Sequence, residues 1–440
     1  MNVPISGVTS SVHATESLLY FVLLQLVIIV LAGRLGSALA RRSGQSSAVG
    51  EIIVGILLGP SLFGLLAPDV FAYVFRSAAP EPLTMLSQVG LLLLMFQIGL
   101  EFDFGHLAEA RNQKAVAAVA AATLAAPFAM GLVFGYYSAP FISPGIDPFA
   151  SALFIATAFS ITALPILGRI MIELNIQRSA LGVIAISAAA LNDVVGWLML
   201  AVVSTLAVTG FSPATFTLKV ALIAIFMALG WYVVRPLMKR LLARLDPRDG
   251  SLGHHQLGAL IALIFLCGLA TYQLGIFAIF GGFMAGVLLH DDRKLVAAWN
   301  ERVGQFVIVF FLPIFFTYTG LRTEVGSLDS AAAWGWCLLL IFLATLGKYG
   351  GAYLAARWVG LTHPQASVLG VMMNTRALME LVVINVGYDL GVISRQMFTM
   401  LVLMAVFSTV ITTPLLRRWL PKALSGRESE LYAESQAAKA

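Results

Sequence analysis

The chain has 440 residues, of which 59% are hydrophobic and only 11% charged, against roughly 25% charged in an average soluble domain. An apolar surplus of that size cannot be hidden in one water-soluble core, and lipid is the solvent it fits. The net charge of +5 sits in short connections between apolar runs and forms no basic stripe, which excludes a nucleic-acid surface.

A membrane-crossing helix needs ~20 mostly apolar residues. That rule predicts an all-α polytopic membrane protein of about 13 transmembrane helices, centred near residues 26, 57, 92, 125, 158, 194, 226, 263, 282, 312, 343, 376 and 406. The first apolar run, Leu18 to Leu31, has no basic stretch before it and no clear cleavage site after it, so it reads as a span and not as a signal peptide. The second and ninth spans are short and glycine-rich. Connections are mostly 5–15 residues long, so residues 1–422 read as one membrane domain and 423–440 as a short cytoplasmic tail. With the N-terminus outside and the C-terminus inside, the inner connections hold nineteen Lys and Arg residues and the outer ones four, the bias that sets orientation.

The fifth span, ATAFSITALPILGRI, carries Thr157, Ser160 and Thr162 ahead of Pro165. The twelfth, VMMNTRALMELVVINVG, carries Asn374, Thr375, Arg376 and Glu380 at membrane depth. Polar side chains in mid-span re-satisfy backbone groups where a helix unwinds, and two broken helices in corresponding halves point to a transporter's binding site. The two lie seven positions apart in the order of spans, an odd offset, so repeats built around the two breaks run in opposite directions.

A charge at the bilayer centre costs about 2.5–3.5 kcal/mol on insertion scales and therefore marks a functional position. Four residues qualify: Asp193, Lys348, Arg376 and Glu380. Asp193, in LGVIAISAAALNDVVGWLML, is the candidate carrier. A carboxylate withdrawn from water holds a proton more tightly, and the same oxygens ligate a dehydrated alkali cation. One group that binds either H⁺ or a cation, never both, is a minimal antiporter. A structural Asp paired with a basic residue is the alternative. Asn192 beside it offers a neutral ligand, a donor or packing. Lys348 reads as a counter-charge for Asp193, as a proton-binding amine, or as a snorkelling side chain. Arg376 and Glu380, four residues apart, are expected to brace the twelfth span together with Asn374.

Glu51 reads as a helix-start carboxylate or an entrance residue. Glu101, Asp103 and Glu109 read as a solvated loop or a cation-attracting patch. His254 and His255 sit in a basic connection where pH sensing is an option. Cys267 and Cys337 fit no metal spacing and read as packing thiols. Neither a nucleophile elbow nor a phosphate loop is present, no cofactor is implied, and nothing suggests an enzyme.

Several stretches together carry a family resemblance: Gly50 to Ser61, GLLLLMFQIGLEFD from Gly90, LNDVVGW from Leu191, GIFAIFGGFMAGVLL from Gly275, FLPIFFTYTGLRT from Phe311 and MNTRALMELVVINVG from Met373. From about residue 17 to 418 the chain resembles Kef-type monovalent cation:proton antiporters, most of all their plant cation/proton exchanger branch. The resemblance implies two inverted six-span units. Spans 1–3 and 8–10 would form a dimerisation domain and spans 4–6 and 11–13 a mobile core, with span 7 as linker. It implies crossed broken helices beside the site, places the family's Asn-Asp pair on Asn192 and Asp193 and its core lysine on Lys348, and matches its crossing-helix polar residues to Thr157, Ser160 and Thr162. Many relatives have a second aspartate where Asn192 stands, which favours one proton per cation here. A histidine common in the ninth-span motif is Phe277 in this chain. No nucleotide-binding regulatory region is expected after Arg418.

The expected function is exchange of K⁺ or Na⁺ for H⁺ by a homodimer in the plasma (inner) membrane. A potassium efflux pathway and an organic-anion symporter on a similar crossed-helix fold are the alternatives. Asp193 at the centre argues against an anion site.

Overall fold

The computed structural model describes residues 5–77, 79–101, 113–174, 176, 179–209, 213–245, 252–274 and 277–424. Among these every regular element is a helix. Asp103, Glu109, Gly275 and the tail beyond residue 424 lie outside the described residues.

In chain order the elements that place the site are α1 (Ile5–Arg42), α2 (Ser47–Leu57), α3 (Pro68–Phe75), α4 (Glu81–Leu100), α5 (Gln113–Ile142), α6 (Pro148–Ser160), α7 (Leu164–Glu173) and α8 (Ala180–Thr209). They continue with α9 (213–244), α10 (His254–Gln273), α11 (Ala278–Val287), α12 (293–322), α13 (Ala331–Trp358), α14 (His363–Met373), α15 (Leu378–Asp389) and α16 (Arg395–Ala423). π-Helical turns interrupt α9 at 230–234, α12 at 300–304 and 307–311, and α13 at 346–350.

Among the described residues, nine helices are long and apolar enough to cross a membrane. A tenth crossing is the pair α14–α15, bent by 42° at its break. The second, fifth and ninth expected spans instead fall on the shorter apolar helices α2, α6 and α11, so length alone does not yield thirteen. α2 and α11 pack by close backbone contact at their glycines and at those that follow them. A Cβ on Gly59 would lie 2.1 Å from the Gly320 carbonyl oxygen, and one on Gly55 would lie 2.6 Å from the Phe316 backbone. Likewise a Cβ on Gly281 would lie 2.2 Å from the Cys267 carbonyl oxygen, and one on Gly286 would lie 2.2 Å from that of Phe96. Small residues let helices approach this closely in lipid, where packing replaces the hydrophobic effect as the driving force.

Polar contacts group the helix ends at two faces. At one face, Tyr20 meets Tyr73 (3.3 Å), Ser61 donates to the Thr323 carbonyl (2.7 Å), Ser394 donates to the Ile142 carbonyl (2.8 Å), and Arg322 pairs with Asp389 (2.6 Å). At the other, Gln45 donates to the Val410 carbonyl (3.0 Å), Arg302 to the Leu252 carbonyl, and Asp291 accepts from Arg235 (2.8 Å) and Lys239. Partial burial works against ionisation of Asp291, but these two cations outweigh it and hold its carboxyl below the usual carboxylate range.

Packing divides the helices further. α1, α2, α4, α10, α11 and α12 pack among themselves, as do α5, α6, α8, α13, α14, α15 and α16, while α2 against α16 is the main contact between the sets.

Candidate functional site

The site is assembled where two helices stop. α6 ends at Ser160 and the chain runs extended through Ile161 before α7 begins at Leu164. Pro165 has no N–H, so the carbonyl four residues earlier, that of Ile161, loses its helical donor. The second break follows Met373 and lasts until Leu378. It contains Ala377 at φ 118° and ψ −114°, the one non-glycine with positive φ among the described residues. Such a conformation costs about 1–3 kcal/mol and persists only where its surroundings impose it. Here they do. The Thr409 hydroxyl donates to the Arg376 carbonyl (3.0 Å), and the Arg376 side chain is anchored on three sides.

The breaks touch, because the Ala163 N–H donates to the Thr375 carbonyl at 3.1 Å. Four helix ends therefore meet inside the protein, two exposing carbonyls and two exposing N–H groups, each equivalent to about half a charge. Two buried ionisable groups offset them. Lys348 donates to the Ser160 carbonyl (2.5 Å) and to the Thr162 hydroxyl (2.7 Å), at the carbonyl end of α6. Glu380 lies in the first turn of α15, at its N–H end, and accepts from Arg376 at 3.0 Å. Arg376 also donates to the carbonyls of Ala158 (3.3 Å) and Ala344 (3.0 Å), tying α6 and α13 to the second break.

Lys348 reaches this point because the π turn at 346–350 carries small residues. A Cβ on Gly347 would stand 2.8 Å from the Pro127 Cα of α5. The lysine is fully buried, so snorkelling is ruled out.

Asp193 projects from the middle of α8, 2% exposed, and both of its carboxylate oxygens are buried without a hydrogen-bond partner among the described residues. Buried polar atoms nearly always find partners, and an intramembrane carboxylate without one is a candidate functional position. Next to it, the Asn192 amide donates to the Thr123 hydroxyl of α5 at 2.8 Å.

Of the residues singled out in the sequence, the structure joins Lys348, Ser160 and Thr162 directly. It places Arg376 against Glu380 as expected, although the intervening backbone is not continuous helix. Two placements differ from expectation. Lys348 makes no ion pair with Asp193; its hydrogen bonds go to the end of α6, whose carbonyls outcompete a more distant carboxylate. The Thr157 hydroxyl donates to Leu153 of its own helix (2.8 Å), the usual bond for a threonine one turn along a helix. Asn374 and Thr375 each leave a side-chain oxygen buried without a partner among the described residues. Glu51 is buried 3.6 Å from Arg34, and Glu101 accepts from Asn300 (2.9 Å). Thr123, Thr409 and Ala377 carry no sequence signal of their own. Only the presence of Asn192 and of a break implies that such partners exist.

The sequence profile of the transmembrane sodium/hydrogen exchangers matches residues 26–421. The chain belongs to that family. Family members are transporters. The chain is 35% identical over 410 residues to the Na⁺/H⁺ antiporter NhaS4 of Synechocystis sp., covering 92% of this chain and 98% of that protein. It is 35% identical over 411 residues to cation/H⁺ antiporter 17 of Arabidopsis thaliana, covering 93% of this chain and 50% of that one. It thus spans about half the length of the plant relative. In fold it is similar to the sodium proton antiporter MjNhaP1 from Methanocaldococcus jannaschii, with a TM-score of 0.62 over 90% of this chain and 96% of that one, at 14% identity.

Proposed function

We propose that the protein exchanges a monovalent cation, K⁺ or Na⁺, for H⁺, one for one and without net charge movement, with Asp193 as the shared binding group. The observation that carries this reading is the Asp193 carboxylate itself, buried on a helix that packs against α6, α7 and α14, with no hydrogen-bond partner for either oxygen among the described residues. A carboxylate in that position needs either a proton or a cation to be neutral, and each excludes the other. Lys348 is committed to the carbonyl end of α6 and acts on Asp193 through space. That arrangement favours a fixed counter-charge over a second transported proton. Asn192 spends an amide N–H on Thr123, which favours its carbonyl oxygen as the neutral ligand beside the carboxylate. An anion symporter is disfavoured by the same carboxylate.

The movement that exposes Asp193 alternately to each side is a displacement of the α5–α8 and α13–α16 set, the core, against the α1–α4 and α10–α12 set, the dimerisation unit of a homodimer. α9 serves as linker. The thin packing between the sets supports this division. The segregation of helix-end contacts to two faces supports thirteen crossings, with α2, α6–α7 and α11 counted. Together with the lysine and arginine bias, it supports an outer N-terminus and a cytoplasmic C-terminus in a plasma (inner) membrane. The motifs favour the Kef-type antiporters, and among them the plant cation/proton exchanger branch.

The test is purified protein in liposomes carrying an imposed ΔpH, with Li⁺, Na⁺, K⁺ and Rb⁺ added in turn. Na⁺ or K⁺ should dissipate the gradient with saturation. A gradient insensitive to every cation would end the reading.

A further inference from the structure

Thr123 lies on α5, fully buried, and belongs to none of the motifs described above. Its hydroxyl donates to the Val119 carbonyl at 2.6 Å, with a longer contact to Ala120 at 3.2 Å. The single hydroxyl proton is thereby used, so the oxygen can only accept. It accepts from the Asn192 amide nitrogen at 2.8 Å. A carboxamide facing an oxygen that can only accept has one permitted orientation, with NH₂ toward Thr123 and the carbonyl oxygen turned away.

The neighbouring geometry fixes Thr123 in turn. The Leu124 carbonyl accepts from the Ser160 hydroxyl (3.1 Å), and the Ser160 carbonyl accepts from Lys348 (2.5 Å). Pro127 of α5 packs against Gly347 beside that lysine. One stretch of α5, residues 123–127, is thus in contact with the neighbour of the carrier, with the end of the broken helix and with the turn bearing the lysine.

We infer that Thr123 is a positioning residue for exchange: it holds the Asn192 carboxamide in the orientation that presents a carbonyl oxygen to the cation beside Asp193. This rests on the antiport reading and adds to it a residue that touches neither ion. A proton on Asp193 needs no neutral ligand, whereas a dehydrated cation needs several oxygens, so losing the orientation weakens cation binding selectively.

The experiment compares wild type, Thr123→Val, Thr123→Ala and Thr123→Ser in the liposome assay, with cation concentration varied at fixed pH. Both Val, which keeps the shape, and Ala, which only removes atoms, are tested so that overpacking in one variant does not decide the outcome. Losing one buried hydrogen bond that sets an orientation corresponds to an increase on the order of fivefold to tenfold in half-saturating cation concentration, with the maximal rate within about twofold of wild type. Thr123→Ser should restore the wild-type value. In an Asn192→Ala background, Thr123→Val should add nothing further, because the group it orients is gone. An unchanged half-saturation in both Val and Ala variants overturns the inference. So does a full additional effect in the Asn192→Ala background, which would mark Thr123 as merely structural. Failure of the wild type itself to couple cation to proton would instead refute the antiport reading.

Discussion

Lys348→Gln separates a fixed counter-charge from a second proton carrier. The ammonium makes two bonds, to the Ser160 carbonyl and the Thr162 hydroxyl, and hydrogen bonds to a charged donor are worth about 1.5–3 kcal/mol each. A glutamine amide is one atom shorter and neutral. It can keep one bond at about 1 kcal/mol, so the net loss is roughly 2–5 kcal/mol, and the variant should melt well below wild type. The effect on transport is separate. Lys348 and Asp193 are not in direct contact, so their attraction lies below the about 4 kcal/mol of unit charges 4 Å apart at an effective dielectric of 20. Removing it lets protons compete better at Asp193. Half-saturating cation concentration at fixed pH should therefore rise by about tenfold to a hundredfold, since each 1.4 kcal/mol is a factor of ten. Exchange should survive at higher pH. Cation-driven dissipation of ΔpH at several pH values, with reversal potentials for both proteins, measures this. A voltage-dependent wild type that becomes voltage-independent in Lys348→Gln would refute the reasoning and make the lysine a transported-proton site.

Asn192→Asp adds a second carboxylate next to the first. Like-charge repulsion in the coupled pair should move the liposome activity profile to more alkaline pH, and an unshifted profile would mean that the two side chains do not share a site. Glu380→Gln leaves Arg376 buried with its 3.0 Å partner neutralised. Breaking such a pair costs about 3–5 kcal/mol, seen as a large drop in melting temperature, while replacing both members by methionine should recover most of it. Equal destabilisation by the single and double changes would mean that the pair does not brace the break.

The long apolar helices and the two breaks were legible in the chain because lipid imposes a coarse rule: apolar for ~20 residues, charge only with a reason. Asp193, Lys348, Arg376 and Glu380 stood out on that rule alone. The second and ninth spans already read as short and glycine-rich, but what their glycines pack against did not: Gly59 meets Gly320 and Gly281 meets Cys267, and a glycine's partner cannot be read from one strand of sequence. The direction of Lys348 was equally hidden. Charge suggested Asp193, but the helix end at Ser160 exists only once α6 has broken, and it outcompetes the carboxylate. Pro165 marks the first break chemically, whereas the second has no proline and depends on Ala377 being forced to positive φ. Thr123 is one hydroxyl among many in apolar helices until Asn192 is seen against it.

Asp193→Asn tests the central claim most directly. The amide keeps the size of the side chain but can neither carry a proton nor neutralise a cation. Because it also removes a buried carboxylate that has no hydrogen-bond partner, the variant should melt at the wild-type temperature or above. In liposomes with an imposed ΔpH, neither Na⁺ nor K⁺ should dissipate the gradient through the folded variant, where wild type does so with saturation. Wild-type rates of cation-dependent dissipation by Asp193→Asn would contradict the account.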